Sequence, residues 1–180
     1  MRVPGEGALS KHSLLKLLAA DPPLVHGMPD PDLQCQSNGI DLTLCAIWRI
    51  HGPLTLGQVE RVLPSRVQVD HVDGWFELTP GPYVALLNEV VSIPRTLMAL
   101  SYPRSSMLRG GVEVHSAVWD AGYVGRSELM LNVVNPSGCR LERNARIAQI
   151  VFFTLDREAP AYDGAYQRQN MSVVPGVSSG

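Results

Sequence analysis

Lysine is almost missing from this chain of 180 residues: only Lys11 and Lys16 occur, and the rest of its 15 cations are arginine. That bias has two readings. One is the base composition of a GC-rich genome; the other is phosphate chemistry, since the guanidinium fork grips phosphate oxygens in pairs. Charge of either sign is not in excess either. The 15 basic and 17 acidic side chains leave a net charge of −2 and a pI near 6.2. No basic field is available for bulk binding to nucleic acid or to an anionic membrane, and neither partner is expected. No apolar run approaches the roughly 20 residues of a membrane-spanning helix. Arg2 is followed by Pro4, Gly5 and Glu6 rather than an apolar stretch, so no secretory leader and a cytoplasmic location are expected. The three cysteines, Cys35, Cys45 and Cys139, are odd in number. They form no CxxC pair and have no histidines at zinc-binding spacing, so buried reduced thiols and no zinc are expected.

What is present is a core and many turns. Hydrophobic residues make up 45%, enough for one packed domain. Glycine (16) and proline (14) form a sixth of the chain, above the usual share of about 12%, which favours a β-rich fold. Leu9 to Ala20 reads as one amphipathic helix, with Ser10 as a cap and Asp21-Pro22-Pro23 ending it. Strand patterns then follow over Gly39–Ile50, Arg66–Val72, Gly74–Leu78, Tyr83–Ser92, Thr96–Ser101, Val112–Trp119, Arg126–Val134 and Arg146–Leu155. Short strands at such spacing predict an all-β antiparallel barrel or jelly roll with one N-terminal helix. The expected division is a single domain over 1–160 and a flexible Gly-, Ser-, Gln- and Asn-rich tail over 161–180.

Four clusters along these segments carry chemistry. Pro103-Arg104-Ser105-Ser106-Met107-Leu108-Arg109 brackets two hydroxyls with two arginines, a donor set suited to phosphate and equally to a solvated loop. Trp119-Asp120-Ala121-Gly122-Tyr123-Val124-Gly125 sets an acid before a Gly-aromatic-x-Gly turn, where a carboxylate can serve a water as general base. Arg146-Ile147-Ala148-Gln149 opens an apolar strand, and the tail holds Tyr162, Tyr166, Gln167, Arg168 and Gln169. Gly39-Ile40-Asp41-Leu42 reads as a plain strand with one acid.

The order Gly-Ile-Asp-Leu, Pro-Arg-Ser-Ser with Arg109, Trp-Asp-Ala-Gly-Tyr-x-Gly, Arg-Ile-Ala-Gln and the Tyr/Gln tail resembles the dUTPase and dCTP deaminase superfamily, over about Leu9 to Gln169. The segments Leu78-Thr-Pro-Gly-Pro and Asn88-Glu-Val-Val-Ser-Ile-Pro resemble its deaminase-type branch. This resemblance implies a distorted β-barrel assembled as a homotrimer, with active sites between subunits and the tail covering the nucleotide. It implies Mg²⁺ held mainly by the substrate triphosphate, with no metal ligand set on the protein. It makes Asp120 the acid that activates water towards the α-phosphorus, and Tyr123 the ring that stacks on deoxyribose and excludes a 2′-hydroxyl. Arg104, Ser105, Ser106 and Gln149 match phosphate-side positions, Arg109 an arginine near the α-phosphate, and Tyr162 and Gln169 tail positions that close on the phosphates. Base recognition would come from the backbone around Val112 to Ala117, and Asp41 would be structural or contact a metal-bound water. The chain departs from the pattern at Ala165, where the branch often has lysine and where Arg168 stands near, and it lacks a Gly-rich Phe tail.

Deaminases of this branch place a catalytic glutamate five residues past the second glycine of the turn. Counting from Gly125 gives Met130, whose thioether carries no proton. Glu128 lies two residues earlier, and a bulge would be needed to bring it into the site. The expected activity is therefore hydrolysis of dUTP to dUMP and diphosphate. A dCTP deaminase or bifunctional enzyme is the alternative, and a nucleotide-binding regulator without turnover is the second.

Overall fold

The computed structural model describes residues 7–172, so residues 173–180 of the expected tail and the opening hexapeptide lie outside the described residues. The chain enters through helix α1 (Lys11–Leu18) and a short strand β1 (Val25–His26), then a single-turn helix α2 (Pro31–Gln34). Two 12-residue strands, β2 (Ile40–His51) and β7 (Gly81–Ser92), form the spine of the molecule. Between them runs an arm made of β3 (Thr55–Leu56), β4 (Arg61–Val62) and β5 (Ser65–Gln68), followed by β6 (Trp75–Leu78). Then come β8 (Leu97–Pro103), helix α3 (Ser105–Arg109), β9 (Val112–His115), β10 (Val124–Val133), β11 (Cys139–Glu142) and β12 (Arg146–Thr154).

The main sheet is wholly antiparallel in the order β8-β12-β2-β7-β10-β9, with β1 added to β7 and β5 to β2. Its two outermost strands, β8 and β9, are consecutive in the chain and joined by α3, which draws the sheet round into a nearly closed barrel. Leu42, Leu44, Ile47, Leu87, Leu131, Ile150 and Phe152 fill its interior, and Leu14 of α1 packs onto the same cluster. β2 and β7 are buried on both faces for most of their length, which is why they read as near-continuous apolar runs rather than alternations.

A small polar cluster is buried among these apolar residues. Glu89, with 0% exposure, accepts from the Thr43 backbone N–H (3.0 Å), the Thr43 hydroxyl (2.5 Å) and Gln34 Nε2 (2.7 Å). Asn88 Nδ2 donates to Thr43 Oγ1 (2.8 Å) and to Asn144 Oδ1 (2.9 Å). Helix α2 exists to deliver Gln34 here: Pro31 opens it and the Asp30 carboxylate caps it by accepting from Leu33 N–H at 3.0 Å.

The expectation of one helix is thus corrected to three among the described residues. The helix expected over Leu9 to Ala20 spans only Lys11–Leu18, and Ser10 stands at its cap position without a side-chain cap bond. The expected strand from Val112 to Trp119 stops at His115, because Trp119 leaves that hairpin to bridge Ala99 of β8. Cys35 and Cys45 are buried, Cys139 is half-buried, and all three are free thiols. Among the described residues no helix is long and apolar enough to cross a membrane.

Candidate active site

A cavity of about 510 Å³ opens where the loop before β10 meets the arm and the tail. Its floor is built by pinning Trp119. The Trp119 backbone exchanges two hydrogen bonds with Ala99 (2.9 and 3.0 Å), and its indole N–H donates to Ser127 Oγ at 2.7 Å. Ser127 Oγ also lies 3.1 Å from the Tyr123 hydroxyl, which locks the ring between loop and strand. Burial pushes the Tyr123 phenol above its ordinary 10, so it stays neutral. Asp120 stands between buried Trp119 and Ala121 yet is itself exposed on the cavity wall. Among the described residues its carboxylate has no hydrogen-bond or ion-pair partner, which leaves both oxygens free to accept.

The tail crosses this loop and completes the wall with Tyr162, Tyr166 and Gln169. Tyr162 N–H donates to Ala121 O (2.8 Å), Arg168 N–H to Val124 O (2.7 Å), and Arg126 N–H to Gln169 O (3.0 Å). Gln167 spans the turn, accepting from Val124 N–H at 2.8 Å and donating to Gly122 O at 2.9 Å. The rings of Tyr162 and Tyr123 meet edge-on at 5.7 Å. Two glycines make the crossing feasible. A Cβ on Gly122, which has φ of 80°, would sit 2.7 Å from Ala161 Cα, and one on Gly125 would sit 2.6 Å from the Tyr123 hydroxyl and 3.2 Å from Gln169 N. A Gly122→Ala variant is expected to undock residues 161–170, read as a rise in their amide exchange with the barrel core unchanged.

Strand β10 carries a register irregularity against β7 between Arg126 and Glu128, and there Ser127 and Glu128 both line the cavity. Met130 is 41% exposed, pairs with His115 in the sheet and is absent from the cavity lining. The position that counting assigned to the acid is therefore outside the cavity, and the earlier carboxylate is in its wall. Glu128 Oε2 accepts from Arg66 of β5 at 2.9 Å. Arg66 lies 62 residues away in sequence, and no spacing argument could have found it.

A second cluster forms around Asp41, which is 1% exposed. The β2–β12 register sets Gln149 opposite Asp41, and Gln149 Nε2 donates to Asp41 Oδ1 at 3.1 Å. Asp41 Oδ2 takes Arg146 at 3.1 Å and Arg104 Nε at 3.3 Å. Asp41 is thus an anchor that orients two guanidinium groups and an amide, with Ser105 and Ser106 exposed in the next turn and Arg109 exposed at the end of α3. The structure brings Asp120, Tyr123, Tyr162 and Gln169 together. It gathers Arg104, Gln149, Ser105 and Ser106 elsewhere, and none of these, nor Arg109, lines the cavity. Among the described residues no group of three or more His, Cys, Asp or Glu side chains could hold a metal ion.

Fold and site together define a class: the chain belongs to the dCTP deaminase-like family, whose model matches residues 8–155. Within that family it is 45% identical over 166 residues to the probable deoxyuridine 5′-triphosphate nucleotidohydrolase of Methanosarcina mazei, covering 90% of this chain and 97% of the relative. It is 43% identical over 167 residues to the protein of the same name from Methanococcoides burtonii, covering 91% of this chain and 98% of the relative. The 2′-deoxycytidine 5′-triphosphate deaminase of Agrobacterium tumefaciens shares the fold, with a TM-score of 0.65 at 23% identity over 83% of this chain and 48% of that one.

Proposed function

We propose that this protein hydrolyses dUTP to dUMP and diphosphate. The observation that carries the reading is the exposed Asp120 carboxylate, without a hydrogen-bond or ion-pair partner among the described residues, on a cavity wall that also holds Tyr123; the relatives named for the same reaction support it. Asp120 takes a proton from a water as the water oxygen bonds to the α-phosphorus. The bond from the α-phosphorus to the bridging oxygen breaks, and diphosphate leaves. Tyr123 presents its ring to the deoxyribose, where a 2′-hydroxyl would collide. The tail residues Tyr162 and Gln169 shield the reaction from bulk water.

The phosphate-side groups are Arg104, Ser105, Ser106, Arg109 and Gln149, with Asp41 holding Arg104 and Gln149 in place. They lie apart from the cavity on one chain, which fits a homotrimer whose sites combine the cavity of one subunit with the cluster of another. Mg²⁺ brought in by the triphosphate belongs to this reading, since Mg²⁺ commonly binds through substrate phosphates and few side chains. When bound it would neutralise charge on the departing diphosphate. A barrel domain over 1–160 with a closing tail over 161–180, acting in the cytoplasm, belongs to the same reading.

A second reading, deamination of dCTP, rests on Glu128 in the cavity wall. Against it, both Glu128 oxygens already have partners, Arg66 at 2.9 Å and Asn170 at 3.4 Å. The test is a paired assay with Mg²⁺ and either dUTP or dCTP, with products separated by chromatography. Formation of dUMP from dUTP, with dCTP untouched, is expected. Release of dUTP or dUMP from dCTP would establish the second reading, and binding without turnover would leave a regulator.

A further inference from the structure

The arm that leaves the barrel between β2 and β6 is short of core contacts of its own. Leu54, Leu56, Val62 and Val67 on it are all more than half exposed. It nevertheless reaches the cavity with Leu63 and Arg66. It meets the tail there through two separate contacts. The Arg61 guanidinium lies over the Tyr166 ring at 5.7 Å from its centroid. Arg66 donates to Glu128 Oε2, while Asn170 of the tail donates to Glu128 Oε1 at 3.4 Å and to Arg126 O at 3.2 Å.

Glu128 is thus bonded from two sides by segments that do not adjoin in sequence. The tail beyond it holds strained backbone: Arg168 and Asn170 have φ of 59° and 53°. Asparagine tolerates that region, but for arginine it is strained, and it persists only where surrounding contacts over-determine it. The bonds Arg168 N–H to Val124 O and Arg126 N–H to Gln169 O supply that determination, and the Asn170–Glu128 contact follows directly after them.

We infer that Glu128 is a positioning residue that couples the arm to the tail, so that the two close over the cavity as one unit. Arg66 holds one carboxylate oxygen, Asn170 the other, and loss of either loosens the segment bonded to the opposite oxygen. The coupling itself does not depend on which nucleotide is bound; its effect on turnover rests on the dUTP reading.

The test is amide exchange, followed by mass spectrometry, on the protein without nucleotide. Among the described residues Arg66 makes no hydrogen bond to the tail, and Arg66→Ala is expected to raise exchange across 161–170 about 3- to 10-fold through Glu128. Asn170→Ala is expected to raise exchange in the arm, and Glu128→Ala in both. In a Glu128→Ala background, adding Arg66→Ala should change nothing further in the tail. An Arg66→Ala protein whose tail exchanges at the wild-type rate would overturn the coupling. Should that variant lose its fold, seen as a lowered melting temperature, Arg66→Gln provides the same readout with less packing lost. With dUTP, Arg66→Ala is expected to raise KM more than it lowers kcat. Tail exchange that responds as expected in a protein inactive on dUTP would fail the dUTP reading and leave the coupling standing.

Discussion

Replacing Asp120 by asparagine is expected to lower kcat on dUTP by about 10²–10⁴-fold, the range typical of a lost general base. KM should stay within a few-fold, because the amide keeps the shape of the acid. Stability should be unchanged within about 0.5 kcal/mol, since an exposed side chain contributes little. The combination matters more than the rate alone. A variant that binds nucleotide and melts like wild type, yet fails to turn over, isolates the chemistry from the fold. Retention of kcat within 10-fold would shift the base to another carboxylate, and Glu128 is the one in the same wall.

The other large effect is on stability and is expected at Glu89. Removing it by Glu89→Ala leaves the Thr43 N–H, the Thr43 hydroxyl and the Gln34 amide without their acceptor in a fully buried place. At roughly 1–3 kcal/mol for each orphaned group, and with partial compensation among them, a loss of about 3–5 kcal/mol is expected in chemical denaturation. The wild-type carboxyl is also raised above its ordinary 4.5 by burial, against the lowering effect of the Thr43 and Gln34 bonds. Below 4.5 the group is protonated in both folded and unfolded chains. As pH rises, the unfolded chain ionises first and the folded one later, so stability falls from 4.5 up through the raised folded value and then levels. Glu89→Gln removes this titration, and the difference between it and wild type should shift in favour of the variant as pH rises across that window. A constant difference would mean that Glu89 ionises alike in both states.

Much of the barrel was legible because its causes are local. The long strands β2, β7, β10 and β12 carry apolar runs, and each was located within a residue or two. Helices α2 and α3 were not, since four or five residues give no periodicity and Pro103-Arg104-Ser105-Ser106 has a loop's composition. The hairpin of β3 and β4 is exposed throughout and leaves no alternation to read. The same division runs through the site. Asp120 and Tyr123 are close in sequence, so their turn announced itself. Asp41 looked ordinary because Arg104, Arg146 and Gln149 all lie far along the chain and meet it only once the sheet has formed. Glu128 was visible as a carboxylate, but its entry to the cavity depends on an irregularity in β10, which obeys the pairing of two strands rather than any local pattern.

The bare floor under the tail has an evolutionary consequence. At Gly122 and Gly125 the segment from Ala161 to Gln169 is received by the absence of side chains, and any lineage that gains one there evicts the segment it holds. Loop and terminus can therefore drift only in step. A chimaera that grafts a relative's final residues onto this barrel should work when the donor's turn comes with them, and fail when it does not.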